Sequence, residues 1–185
     1  ASFAKSTVTA IDVGGADADP ACWTIGSLAF SEGAPAYHFT FREISFTILC
    51  GVGSPRSGPV ATATILDGAE VVFEQSGEAF ATARIEDGGS LTMRGSSSLG
   101  AGSVTVQGDD PAARPTLRFE GSASAGTLPA LITVTGVGSC TFAGNSGTGT
   151  AEIQALNSGD DGGDDGFGLF FIDAAVAQDS AIAIV

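Results

Sequence analysis

Two series of apolar pairs run through this chain in step. One is Val71/Phe73, Leu91/Met93, Leu117/Phe119, Cys140/Phe142 and Leu169/Phe171. The other is Ala63/Ile65, Ala83/Ile85, Val104/Val106, Ile132/Val134, Ala151/Ile153 and Ile182/Ile184. Members of a pair lie two residues apart, so in a strand both point to one face. Eight residues lead from Ile65 to Phe73, from Ile85 to Met93 and from Val134 to Phe142. The interval grows between Val106 and Phe119 and between Ile153 and Phe171, where DDPAARP and SGDDGGDDG are inserted. Both insertions therefore leave the same corner of a repeating unit, as insertions in a solenoid do.

These intervals predict an all-β chain folded as a single-domain parallel β-helix over residues 1–185. Like side chains stack on like from coil to coil, about 4.8 Å apart. ATATILDG at Ala61 and ATARIEDG at Ala81 are two copies of one such rung. Toward the start, Leu28/Phe30 and Ile48/Cys50 extend the first series and Phe39/Phe41 the second. That makes about seven coils and a rod of roughly 35 Å. Residues 1–20 are expected as an N-terminal cap or arm, and residues 107–115 and 157–166 as corner insertions. A β-sandwich or jelly roll is the alternative, since it also uses short strands and Gly-rich turns. It has no reason to keep two series in phase.

Composition narrows the partners. The formal net charge is −14, from 21 Asp and Glu against 7 Lys and Arg, which repels phosphate and so excludes nucleic acid as an expected partner. No apolar run is long enough for a membrane-spanning helix. The start, ASFAKS, looks like a mature end left after cleavage behind a small residue. The final DSAIAIV reads as the opening strand of another coil. The expectation is thus a slice of a longer protein, or a solenoid whose edge another subunit covers.

FEGSASAG (Phe119–Gly126) and FAGNSGTGTAEI (Phe142–Ile153) resemble the Phe-x-Gly-x-Ser/Ala-x-Ala-Gly-x-Ala-x-Ile repeats of autotransporter-type β-helical passenger domains. DGGSLTMRGSSSLGAGSVTV (Asp87–Val106) looks like a neighbouring Gly-rich coil of that class, and the likeness runs from about Val60 to Val185. The resemblance implies a right-handed β-helix, secreted or exposed on a cell surface, serving as an adhesin or stalk. No Gly-Asp-Ser protease motif is present to suggest a serine-protease passenger.

Candidate sites are few. Asp160, Asp161, Asp164 and Asp165 sit on a glycine-rich backbone and could surround Ca²⁺, which takes six to eight oxygens. Their spacing matches neither an EF-hand nor the calcium-binding nonapeptide, so a solvated insertion is the expected reading and Ca²⁺ the alternative. Cys50 and Cys140 stand about four coils apart, beyond disulfide reach, and Cys22 falls in the other series. Three buried, unpaired thiols are expected, with a Cys22–Cys50 bridge as the alternative. His38 should point outward with Thr40 and Arg42, a lone imidazole without a metal-ligand companion. Outward threonines such as Thr62, Thr64, Thr133 and Thr135 do not form the regular ranks of an ice-binding solenoid.

The expected function is that of a non-enzymatic structural or adhesive solenoid. Its corner loops would meet protein partners or a surface glycan, and its coil ends (Ile182, Ile184, Val185) would self-associate into a fibre or larger assembly. The alternative is a polysaccharide lyase or hydrolase, for which Asp87, Asp109 and Asp110 are the candidate carboxylates.

Overall fold

The computed structural model describes residues 2–3, 8–14, 22–31, 34–53, 61–127, 129–156 and 168–184. Among them every named element is a strand, and every strand pairing is parallel. The chain is a β-solenoid with three faces. The first face carries β2 (Ala10–Gly14), β5 (Tyr37–Arg42), β8 (Ala61–Leu66), β11 (Thr82–Ile85), β14 (Ser103–Gly108), β16 (Leu131–Gly136), β18 (Glu152–Leu156) and β20 (Ala181–Ile184), in that order. The second carries β3 (Cys22–Ile25), β6 (Ser45–Ile48), β9 (Glu70–Phe73), β12 (Ser90–Met93), β15 (Thr116–Phe119), β17 (Ser139–Phe142) and β19 (Gly168–Phe171). The third starts with β1 (Ser2–Phe3), β4 (Leu28–Phe30) and β7 (Val52–Gly53), and goes on through β10 (Ser76–Glu78) and β13 (Ser96–Ser98). It ends in single bridges from Ser98 to Ser124, Gly147 and Val176.

Most of the expected register holds. Val71 pairs Leu91, which pairs Leu117, then Cys140, then Leu169. On the first face Phe39, Ala63, Ala83, Val104 and Ile132 form one inward column. Three assignments are corrected. Ile153 and Ala155 are the pair that stacks on Ile132 and Val134, where Ala151/Ile153 was expected. Phe46 and Ile48 stack on Val71 and Phe73, where Ile48/Cys50 was expected. Leu28/Phe30 belongs to the third face. A slip of two residues keeps every side chain on its face, so alternation alone cannot detect it.

The interior is closed over about five turns, those built on β5/β6, β8/β9, β11/β12, β14/β15 and β16/β17, against the about seven coils expected. The other two are end turns with open interiors. At one end Ile11, Val13 and Ile25 are only half-buried; at the other, so are Leu169 and Phe171. Within residues 1–20, expected as a cap or arm, Ala10–Gly14 is a rung paired in parallel with β5, while residues 1, 4–7 and 15–20 lie outside the described residues.

FEGSASAG and FAGNSGTG occupy equivalent positions in successive turns. Phe119 lies over Phe142 and Ser124 over Gly147. Gly126 and Gly149 take positive φ, 102° and 62°, and a Cβ on either would run into the carbonyl of the glycine one turn before. Only glycine fits both the conformation and the approach. Inward serines on the third face bond to backbone: Ser97 Oγ donates to the Arg94 carbonyl at 2.8 Å and Ser146 Oγ to the Phe119 carbonyl of the preceding turn at 3.3 Å. Among the described residues no buried side-chain polar atom lacks a hydrogen-bond partner.

The thiols differ from expectation. All three cysteines are free, but only Cys140 is buried; Cys22 and Cys50 are exposed. Cys22 pairs with Ser45 on the outward side of the second face, and Cys50 lies beyond the end of β6. Burial pushes the Cys140 thiol far up, so it stays protonated and inert. A thiol-specific reagent should therefore modify two cysteines in the native protein and the third only after unfolding. Modification of Cys140 at the rate of the others would mean that the interior is open there.

Candidate functional site

Three concavities follow from this architecture. The first lies at the corner between the first and second faces. There the Asp67-Gly68 and Asp87-Gly88 turns lie beside the loop after β14, whose Pro111–Arg114 forms the opposite wall of an open cleft of about 620 Å³. Asp67 and Asp87 both hold positive φ, 53° and 47°, which a short polar side chain tolerates. The loop is braced internally. The Asp110 carboxylate accepts from Ala112 N–H at 2.8 Å, and Arg114 Nε donates to the Pro111 carbonyl at 2.9 Å.

Of the expected carboxylates, Asp87 lines this cleft and Asp109 and Asp110 do not. Asp110 is turned to its own loop, and Asp109 stands beside Gly136. Asp67 was missed, although it is the same corner position as Asp87 one turn earlier and could have been found from the ILDG/IEDG match. Asp67 also pairs with Arg42 at 2.9 Å. Among the described residues no group of three His, Cys, Asp or Glu side chains is placed to hold a metal ion. The acidic run Asp160, Asp161, Asp164 and Asp165 lies outside the described residues.

The other two concavities are the open ends. At the N-terminal end Ile11, Val13, Trp23 and Ile25 ring a hollow of about 380 Å³ floored by Phe39, Phe41 and Phe46. At the C-terminal end Val134, Ala155, Leu156, Leu169 and Ile184 surround about 230 Å³. Trp23 is 55% exposed and Ile184 73%, values unlike those of any inward residue in the closed turns.

Charged side chains along the outer faces tie turns together. Arg94 reaches Glu74 of the preceding turn at 3.0 Å and Glu120 of the following turn at 2.9 Å, and Arg118 also donates to Glu120. Arg84 bonds Glu86 at 2.6 Å and Gln107 at 3.0 Å. The hydrogen bond from Arg118, reinforced by that from Arg94, holds the Glu120 carboxyl below the ordinary value of 4.5 against the opposing effect of partial burial. A carboxylate with a lowered folded pKa stabilises the fold above its unfolded pKa and loses that contribution as pH falls through the folded value. Stability should thus decline below about pH 4.5, and Glu120→Gln should flatten that decline; the pair is half-solvated, so the effect is under about 1 kcal/mol. Thermal melts between neutral and acid pH read it; equal acid slopes in the two proteins would remove Glu120 from the account.

His38 is exposed and outward, with Nδ1 at 2.8 Å from Thr62 Oγ1 and Nε2 at 3.2 Å from Thr64 Oγ1. Outward Thr40, Thr64, Thr105 and Thr133 share one row, interrupted by Arg84. No helix among the described residues is long and apolar enough to cross a membrane. Comparison with protein-family models, with curated proteins and with solved structures returned no match for the chain.

Proposed function

We propose that this chain is a non-enzymatic structural or adhesive β-solenoid, secreted or displayed at a cell surface. Its corner loops would meet protein or glycan partners, and its coil ends would join it to a larger assembly. One observation carries the reading. Arg42 and Arg94 pair with carboxylates of neighbouring turns and Arg84 and Arg118 with carboxylates two residues along their own turns, so these four cations are engaged along the outer faces, and Arg114 is the arginine that lines the corner cleft. The likeness of Phe119–Gly126 and Phe142–Ile153 to autotransporter-type passenger repeats supports the surface location.

A polysaccharide-active enzyme is the second reading, favoured by the corner cleft, where Asp67, Asp87 and Arg114 share one concavity. Acid/base cleavage of a glycan needs carboxylates of that kind. The test is incubation with neutral and acidic polysaccharides, followed by binding and chain-length measurements. Retention on a glycan with unchanged chain length is expected. Shortening that disappears in Asp67→Ala/Asp87→Ala would replace the structural reading with the enzymatic one. Surface labelling of intact source cells by antibody, lost after protease shaving, checks the location; label found only after lysis would contradict it.

A further inference from the structure

We infer that the corner cleft binds a neutral, hydroxyl-rich ligand, one sugar ring of a glycan chain, with the Asp87 carboxylate accepting from its hydroxyls and Pro111 and Ala112 supporting its apolar face. This rests on the reading above that the corner loops meet a partner, and it names which partner and where.

The cleft has two unlike walls. One is built by the Asp67-Gly68 and Asp87-Gly88 turns, equivalent corner positions of successive turns about 4.8 Å apart. The other is the Pro111–Arg114 stretch of the insertion. The Cβ position of Gly68 has no atom within 4 Å, so the cleft is roomy beside the earlier turn. That of Gly88 lies 3.6 Å from Ala113, where the loop rests on the later turn. The loop wall is preset. Proline fixes its own φ, Asp110 accepts from Ala112 N–H, and Arg114 Nε donates to the Pro111 carbonyl. A wall formed before binding loses less to ordering when a ligand arrives.

Charge and hydrogen bonding select the ligand. Two carboxylates line the cleft and two guanidinium groups accompany them: Arg42 pairs with Asp67 at 2.9 Å, and Arg114 lines the facing wall. Charge within the cleft is thus balanced, and an anionic glycan would also meet the net charge of −14. Asp87 is exposed, and its carboxylate has no hydrogen-bond or ion-pair partner among the described residues, whereas Asp67 is engaged by Arg42. An ionised carboxylate only accepts, so it calls for a donor. Across the cleft stand the pyrrolidine ring of Pro111 and the methyl group of Ala112, both exposed. A neutral ligand that carries several donors beside an apolar C–H face is a sugar ring. A few placed polar groups against apolar surface is the usual make-up of a ligand site. Because the cleft is open, the ring can belong to a long chain.

The experiment measures retention of the full chain on two immobilised neutral glycans, a glucan and a mannan. It is run at about 0.01 M and about 1 M salt, screening lengths of ~30 Å and ~3 Å. Wild type is compared with Asp87→Asn and Asp109→Asn. Asparagine tolerates the positive φ of position 87, and Asp109 does not line the cleft, so both variants lose one charge and only one touches the site. The wild type should be retained on a neutral glycan equally at both salts. Asp87→Asn should bind about 10-fold more weakly, the loss of one charge-assisted hydrogen bond, and Asp109→Asn as the wild type does. If Asp87→Asn lowers the melting temperature, Ala112→Arg, at an exposed loop position, fills the cleft instead and should abolish retention. Retention unchanged in both Asp87→Asn and Ala112→Arg would overturn this site while leaving glycan adhesion by the chain in place. No retention on either glycan, with binding to polylysine that is lost at about 1 M salt, would overturn the sugar ligand and assign the cleft to a basic protein partner.

Discussion

Phe142→Ala should lower the stability of the C-terminal half by about 3–5 kcal/mol, the range for removing a fully buried aromatic side chain. Phe142 is fully buried between two rings, Phe119 at 4.6 Å with planes 3° apart and Phe171 at 5.1 Å with planes 11° apart. Alanine would leave a void whose walls are strands held at the fixed spacing of the turns, so collapse cannot fill it. Because each turn touches only its neighbours, the loss should uncouple β19 and β20 while the turns on β8 and β11 stay folded. Hydrogen exchange resolved by segment would show this. Uniform weakening of the whole chain would mean that the turns do not behave as a one-dimensional stack. Phe171→Ala, at a half-buried end position, should cost less than half as much.

The second large effect is on the backbone. Gly136 ends β16 with φ 60°, and a Cβ there would collide with the Gly108 carbonyl oxygen of the turn before. Gly136→Ala combines a left-handed alanine with that collision, and should destabilise by about 3 kcal/mol or more. Two glycines calibrate the result. Gly68 has φ 71° but open space around its Cβ position, so alanine there should cost about 1 kcal/mol. Gly26 has open space and no positive φ, so alanine should be close to neutral. Equal melting temperatures for the three variants would show that the close approach of turns at Gly136 is not maintained.

The first two faces were legible because their inward residues are large apolar pairs. Val71/Phe73 and Leu91/Met93 announce themselves in a chain that is otherwise Gly, Ser, Ala and Thr. The third face was not legible. β10 and β13 read Ser-Gly-Glu and Ser-Ser-Ser, and the inward positions there include Ser97 and Ser146, which are buried as fully as any leucine. Hydroxyls that bond the neighbouring backbone carry no hydrophobic signal. The slips at Ile48/Cys50 and Ala151/Ile153 have a related cause. FTILC and AEIQA each offer three alternating inward candidates, and only the paired register selects two of them. The buried state expected of Cys50 went with that slip.

The candidate site was legible in part. Both insertions mapped to one corner, and the strands around them do flank the same corner, β14 to β15 and β18 to β19. Which carboxylates share a cleft depended on the fold of the loop after β14, where Asp110 caps its own turn and Arg114 comes to face Asp67 and Asp87. Local hydrogen bonds of that kind leave no periodic trace. The open ends, in contrast, were foreshadowed by the apolar Ile182/Ile184 pair, though the matching hollow around Trp23 was not.

The central claim is that about five closed turns lie between two open ones, and native-state hydrogen exchange tests it most directly. In dilute, low-salt solution, amides of β8, β11 and β14 should be the slowest to exchange, with protection falling turn by turn toward β2/β3 and β19/β20. Terminal strands as protected as the centre, or protection unrelated to turn position, would contradict an open-ended solenoid.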